Sequence, residues 1–281
     1  MTGQSTPRTG EDATRSYYDS ADVDAFYAAV WGGEDIHTGI YTRPGEPVAD
    51  ASRRTVDRVG DRLADRLGPG RSVLDLGSGY GGTARRLAER FGCRVVALNL
   101  SAAQNERHRA ANAARGLDGL VEVVTGSFHD VPFPDGHFDA VCSLEALCHS
   151  SDRPRALSEA VRVLKPQGAL AFTDIMAAED APAELLRPAV SRLGVDALAT
   201  VSFYRTQLAA LGLTGVGFED HSDQLVSHYV RLTDETAARA AELRGRISDA
   251  YLGHLQENLP VWADAARRGR LRWGVLHGSR P

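Results

Sequence analysis

Three stretches of this 281-residue chain hold the residue types that do chemistry. In VLDLGSGYGG, residues 73–82, an apolar run ends around Asp75, and Gly77, Gly79 and Gly81 follow at alternate positions. Glycines let a backbone turn tightly and approach a ligand without a Cβ, and the amides at the start of the next helix point into the same space, so the pattern builds a nucleotide-type pocket. In SLEALCHS, residues 143–150, Glu145 and His149 are side chains able to take a proton from a reacting group. The third stretch, VWGGEDIHTGIY over residues 30–41, suits neither a helix period nor a strand alternation. Its Glu34, Asp35 and His37 are too few for a metal centre, and no metal is expected.

The elements that must position these residues follow from periodicity. Apolar β-type runs at SVLDLG, RVVALNL, VEVVTG, FDAVCSL and ALAFTD read as strands, with helices starting near Gly81, Ser101 and Arg153. Repeated parallel crossovers within about a hundred residues predict an α/β, Rossmann-like doubly wound sheet, whose ligands lie at the carboxyl ends of the strands near the switch point. Beyond Asp174, APAELLRPAVSRLG and FYRTQLAALGL read as helices and TGVGFEDHS as a strand. Two long helical stretches, about 222–245 and 247–268, come before a last strand in RLRWGVLHGSR, which completes seven strands with an antiparallel partner. The reading divides the chain into a flexible tail at 1–15, a helical cap or lid at 16–70, and a core at 71–281 with pocket insertions near 175–210 and 222–268. No internal repeat is evident.

Composition removes several classes of function. The net charge is -5 and no lysine- or arginine-rich block is present, which argues against nucleic acid. Cys93, Cys142 and Cys148 form neither a CxxC nor a histidine-paired metal spacing, and their odd number points to reduced thiols and a cytoplasmic protein. The N-terminus has no apolar signal core, and no run approaches the ~20 apolar residues of a membrane span. The expected partner is a small molecule. A homodimer is compatible with the sequence.

The glycine spacing with its preceding acid resembles the nucleotide loop of class I S-adenosylmethionine methyltransferases. Further landmarks follow in that family's order: ALNLSAAQN, TGSFHDVPFPDGHFDAV, FDAVCSLEALCHS and RVLKPQGALAFTD. The resemblance implies a seven-stranded methyltransferase core with S-adenosylmethionine as cofactor and S-adenosylhomocysteine as product. Asn99 stands where the family commonly has an acid on the ribose hydroxyls, and an amide can still bond a diol with less charge assistance. Ser127 and Phe128 are expected beside adenine. The other cofactor contacts it implies are Tyr18, Trp31, His37, Asp75, Gly77, Gly79, Leu100, Gln104 and Leu144, with residues 30–41 as a lid over the methionine end.

The stretch YYDSADVDAFYAAVWGGEDIHTGIY, together with LCHS, FYR, SHY and the terminal RGRLRWG, resembles the sarcosine/dimethylglycine N-methyltransferases, which build glycine betaine. That resemblance covers nearly the whole chain after the tail and implies a small amine as acceptor. A protonated amine has no lone pair, so a base is needed, and Glu145 and His149 are the candidates. Aromatic walls at Tyr17, Tyr18, Tyr27 and Trp31 would attract a cationic sulfonium or ammonium. Arg205 is the expected clamp for the acceptor carboxylate, and Tyr204, His228 and Trp273 are further acceptor candidates. One departure stands at Leu144, where the betaine enzymes carry a polar residue. It leaves open a C-methyltransferase of secondary metabolism acting on an aromatic acceptor, such as indole C3 of a tryptophan-derived diketopiperazine, or a catalytically silent sensor of the cofactor.

Overall fold

A computed structural model describes residues 20–190 and 197–281. The expected tail at 1–15, Tyr17 and Tyr18 lie outside the described residues. Seven strands form one sheet in the order β3-β2-β1-β4-β5-β7-β6. They are β1 (Ser72–Leu76), β2 (Arg94–Asn99), β3 (Val121–Thr125), β4 (Phe138–Leu144), β5 (Leu164–Ala177), β6 (Thr214–Asp220) and β7 (Leu271–Ser279). β1 to β5 pair in parallel, while β7 enters antiparallel between β5 and β6. The chain order reverses between β1 and β4, and the switch point at their carboxyl ends is where a ligand crevice opens.

The sheet is covered on both faces. Strand alternation turns Leu74 and Leu76 toward one apolar layer, which includes Leu157 and Ala160 of α5 (Arg153–Arg162) and Leu208 of α7 (Val201–Ala210). Val73 faces the other layer, with Val56 and Val59 of α2 (Val48–Leu63) and Leu87 of α3 (Gly82–Phe91). Asp75 has the parity of Val73, so it too points to the α2/α3 face. Local signals set the helix starts: Ser101 accepts from Gln104 N at 3.1 Å to begin α4 (Ala102–Ala114), and Asp152 accepts from Arg155 N at 3.0 Å to begin α5.

A third apolar cluster unites the N-terminal helix with the later insertion. Phe26, Tyr27 and Trp31, in and just after α1 (Ala21–Val30), pack with Tyr229 of α8 (Asp223–Ala238) and Trp262 of α10 (Asp249–Arg267). Tyr229 and Trp262 stack with centroids 5.1 Å apart. Full burial of such side chains is worth about 1.5–3 kcal/mol each, so α1 is fastened to α8 and α10 by apolar burial rather than by charge. One helical stretch differs from the sequence reading: the expected helix over 222–245 breaks at Arg239 into α8 and the short α9 (Ala240–Leu243). The helix expected in APAELLRPAVSRLG is described as α6 (Ala183–Val190), and 191–196 lie outside the described residues. β5 also starts five residues before Ala169. Leu164 pairs with Phe138, the register shifts before Ala140, and Gln167 takes φ 63°, so KPQG is an irregular strand start.

Candidate active site

The crevice at the switch point spans about 870 Å³ of atom-free space, part of it open solvent at its mouth. Its walls come from the loop after β1 (Gly77 to Tyr80), the end of β2 and start of α4 (Leu98 to Gln104), residues 126–128, the turn after β4 (Leu144 to Ala146, with His149), and Glu34, Ile36 and His37 from the segment before α2. Of the residues expected to hold the cofactor, His37, Gly77, Gly79, Asn99, Leu100, Gln104, Ser127, Phe128 and Leu144 are brought together here. Glu145 and His149 line the same space.

The nucleotide half is a tight cradle. Gly77 has φ 76°, and a Cβ on it would lie 2.3 Å from the Cβ of Ala146, so only glycine lets the loops after β1 and β4 meet. Gly77 N and Ser78 N both donate to Leu98 O, at 2.8 and 3.2 Å, locking the loop to β2. Asn99 Nδ2 donates to Gln104 Oε1 at 3.0 Å and Asn105 Oδ1 at 3.2 Å, while Asn105 Nδ2 donates to Asn99 O at 3.1 Å and Thr125 Oγ1 at 2.8 Å. Gln104 Nε2 is buried without a hydrogen-bond partner. An open glycine cradle beside an unpartnered amide donor fits a nucleoside with its diol. Asp75 is not part of this wall: strand parity turns it under the loop, 2% exposed, with Cys142 Sγ 3.8 Å from its Oδ1.

Residues 31–47 form a strap across the crevice, stitched to both sides. Trp31 Nε1 and Ser52 Oγ donate to His37 O at 3.2 and 2.6 Å, and His37 Nε2 lies 3.2 Å from Thr83 Oγ1 in the first turn of α3. The next residue reaches the opposite wall. Thr38 N donates to Glu145 Oε1 at 2.7 Å and Thr38 Oγ1 to Glu145 Oε2 at 3.1 Å, while Thr38 O accepts from Thr55 at 2.7 Å. His228 Nδ1 holds the far end, accepting from Gly39 N at 3.3 Å and lying 2.9 Å from Tyr41 Oη. The side chains of Glu34, Asp35 and His37 diverge: Glu34 pairs with Arg115, Asp35 is buried against Gly82, and His37 faces Thr83. Burial lowers the His37 pKa to about 4, so its ring is neutral near pH 7.

Glu145 is the focus of the reacting end. It occupies the left-handed region at φ 53°, and its carboxylate takes three donors, the two from Thr38 and Trp273 Nε1 at 3.0 Å. As a residue it keeps some exposure to the crevice, while its carboxyl lies within the protein. Burial raises its pKa to about 7, outweighing those three hydrogen bonds, and the buried Asp174 adds to the rise.

Several expected contacts are not formed. Trp31 and Tyr27 do not line the crevice; they pack into the apolar cluster with centroids 5.1 Å apart, the bland amphipathic face of α1. His228 anchors the strap instead of lining the pocket. Tyr204 is buried with its hydroxyl donating to Asp174 at 2.5 Å. Arg205, one helix position on, points away and is exposed, and it does not reach the crevice. Among the described residues, Trp273 alone of the acceptor candidates reaches a proposed base, donating to Glu145. Thr38, Thr83 and Asn105 bond residues of the crevice or its strap and were missed by sequence reasoning, since the partners of Thr38 and Thr83 are distant in the chain and Asn105 itself sits in an ordinary helix start.

A family model described as a methyltransferase domain matches residues 74–172. A sarcosine/dimethylglycine N-methyltransferase of Halorhodospira halochloris is 47% identical over 95% of this chain and 95% of its own length. A dimethylglycine N-methyltransferase of Parasynechococcus marenigrum (strain WH8102) is 43% identical over 96% of both chains. A crystal structure assigned to a sarcosine dimethylglycine methyltransferase from Galdieria sulphuraria has a TM-score of 0.86 and 33% identity, covering 92% of this chain and 97% of that one.

Proposed function

From the premise that the chain belongs to the sarcosine/dimethylglycine N-methyltransferase family of class I S-adenosylmethionine-dependent methyltransferases, we propose that it methylates the nitrogen of sarcosine and dimethylglycine, toward betaine. Bound S-adenosylmethionine would supply an electrophilic methyl, to be taken by an amine lone pair in line as the C–S bond breaks and S-adenosylhomocysteine leaves. In this reading the protein contributes position, dryness and proton removal. Asn99, Gln104 and Ser127 bond the nucleoside, and the glycine loop lets the backbone come close to it. The strap, tied to α3 through His37 and to Glu145 through Thr38, excludes water from the reacting end.

Glu145 takes the ammonium proton. The observation that carries this role is that Glu145 lines the crevice and that burial raises its carboxyl pKa to about 7, so that it can accept a proton near neutral pH yet is not so weak a base as an exposed carboxylate. His149, on the same turn, is the second candidate to relay that proton. No arginine or lysine lines the crevice among the described residues, so neutral donors meet the acceptor carboxylate. The same feature suits the second reading, C-methylation of an aromatic acceptor, which needs no carboxylate partner. The three thiols are free and buried, which supports a cytoplasmic setting, and no helix among the described residues is long and apolar enough to cross a membrane.

A mass-shift assay on glycine, sarcosine, dimethylglycine and an indole diketopiperazine tests the reading. A gain of about 14 Da per methyl on sarcosine and dimethylglycine is expected. A gain confined to the indole compound would replace the amine acceptor by the aromatic one.

A further inference from the structure

We propose that Asn105 is a positioning residue that fixes the polarity of the ribose subsite, so that Asn99 offers an acceptor and Gln104 a donor to the diol and an acid at position 99 is incompatible with this chain. The proposal rests on the cofactor reading above, because it concerns how that ligand is held.

The polarity follows from hydrogen-bond chemistry. Asn105 is fully buried, and its Nδ2 donates to Asn99 O. A peptide carbonyl only accepts, so the Asn105 amide cannot be turned over, and its Oδ1 must face Asn99. That oxygen also only accepts, which requires Asn99 to present Nδ2 to it at 3.2 Å. Asn99 Nδ2 then lies on the protein side, where Gln104 Oε1 at 3.0 Å also receives it, and Asn99 Oδ1 is the atom left to the crevice. With Oε1 committed, Gln104 directs Nε2 elsewhere, and that nitrogen is the buried donor with no partner, on a side chain that lines the crevice. One neutral acceptor and one neutral donor result, matched to two adjacent hydroxyls.

A carboxylate at position 99 would set one of its oxygens against Asn105 Oδ1 and Gln104 Oε1. Gln104 can rotate its amide to relieve this contact. Asn105 cannot, because Asn99 O holds its nitrogen. The isosteric exchange to an acid, which strengthens diol binding where donors surround it, should weaken binding in this setting.

Calorimetric titration of the full chain with S-adenosylhomocysteine is the test, with thermal unfolding of each ligand-free variant to verify folding. Asn99→Asp is expected to lose at least tenfold in affinity at pH 8, with the loss shrinking at pH 5 as the introduced carboxyl takes a proton. Asn105→Ala removes the opposing acceptor, so Asn99→Asp is expected to cost less in that background than alone. If Asn99→Asp binds as tightly as the wild type, or if the two losses simply add, the proposal is overturned. Should Asn99→Asp fail to fold, Gln104→Glu decides: it is expected to lose affinity by removing the donor, and unchanged binding would overturn the proposal. Wild-type protein that fails to bind S-adenosylhomocysteine would sink the cofactor reading itself, a different result from either.

Discussion

At the scale of single residues, two buried acids with raised pKa values have opposite uses. Glu145 is held by three donors and faces the crevice, so its ionised form is prepared for proton transfer. Its pKa of about 7 means the carboxylate population grows as pH rises through 7, and kcat/KM should rise over the same interval. Glu145→Gln should lower kcat by about 10²–10⁴-fold while leaving S-adenosylhomocysteine affinity nearly unchanged; full turnover by this variant would remove Glu145 from the mechanism. Asp75 has no such use. Burial raises it to about 7, its Oδ2 has no partner, and it lies outside the crevice. Because the native state then binds this proton more tightly than the unfolded chain, Asp75 destabilises the fold above pH 7, and the penalty is relieved as pH falls from 7 toward 4. A tenfold change in proton affinity is worth about 1.4 kcal/mol, so Asp75→Asn should stabilise the protein by up to a few kcal/mol at pH 8 and by much less at pH 4, as read by urea unfolding. The sequence made Asp75 look like a ligand contact because its place before the glycines was visible and the parity of its side chain was not. Arg205 misled in the same way: a motif identified the residue, but the helix phase that turns it outward depends on Tyr204 being drawn in by Asp174.

At the scale of elements, the strands and the ends where ligands gather were legible, since β-type apolar runs and capped helix starts are local signals. The strap was visible only as a segment that fits no period. Its role depends on partners far along the chain: Thr38 meets Glu145 across 107 positions, and Gly39 meets His228 across 189. Short-range patterns carry no record of such pairings. The strap also explains why Gly39 must lack a side chain. A Cβ there would lie 2.5 Å from the Cβ of Ala51 and 3.0 Å from its carbonyl carbon, in the first turns of α2, where Ile40 N donates to Ala51 O at 3.1 Å. Helix backbone cannot give way as a flexible side chain does, so Gly39→Ala should lift the strap. Overpacking of this kind costs about 1–3 kcal/mol, and the two Thr38 donors would leave Glu145 with it. Turnover should fall, and amide exchange over residues 36–42 should quicken. Unchanged exchange in that segment would mean that the strap tolerates the methyl and is less tightly seated than its contacts imply.

At the scale of the whole molecule, the ion pairs and the crevice differ in exposure, and the difference predicts how the enzyme responds to salt. Ion pairs lie mainly on outer faces, such as Arg86 with Asp57 at 2.8 Å, where both side chains are partly exposed and each pair is worth about 0–1 kcal/mol. The crevice is built differently. Asn99, Gln104 and Ser127 are neutral, burial keeps the ring of His37 uncharged above about pH 4, and the one acid at the reacting end, Glu145, has its carboxyl buried under three hydrogen bonds, where salt screens it little. Raising ionic strength from 0.1 to 1 M shortens the screening length from about 10 to 3 Å, which weakens exposed charges and leaves short neutral hydrogen bonds nearly untouched. The pair that works against this is Glu34 with Arg115 at the outer face of the strap, since its loss would loosen the covering segment. Both partners are partly exposed, so that contribution falls within the small surface range and the neutral contacts prevail. Affinity for S-adenosylhomocysteine should therefore change by less than about threefold between 0.1 and 1 M KCl, by calorimetry at pH 8. A steep logarithmic dependence on salt would show that charged groups, rather than the amides at the end of β2, hold the ligand.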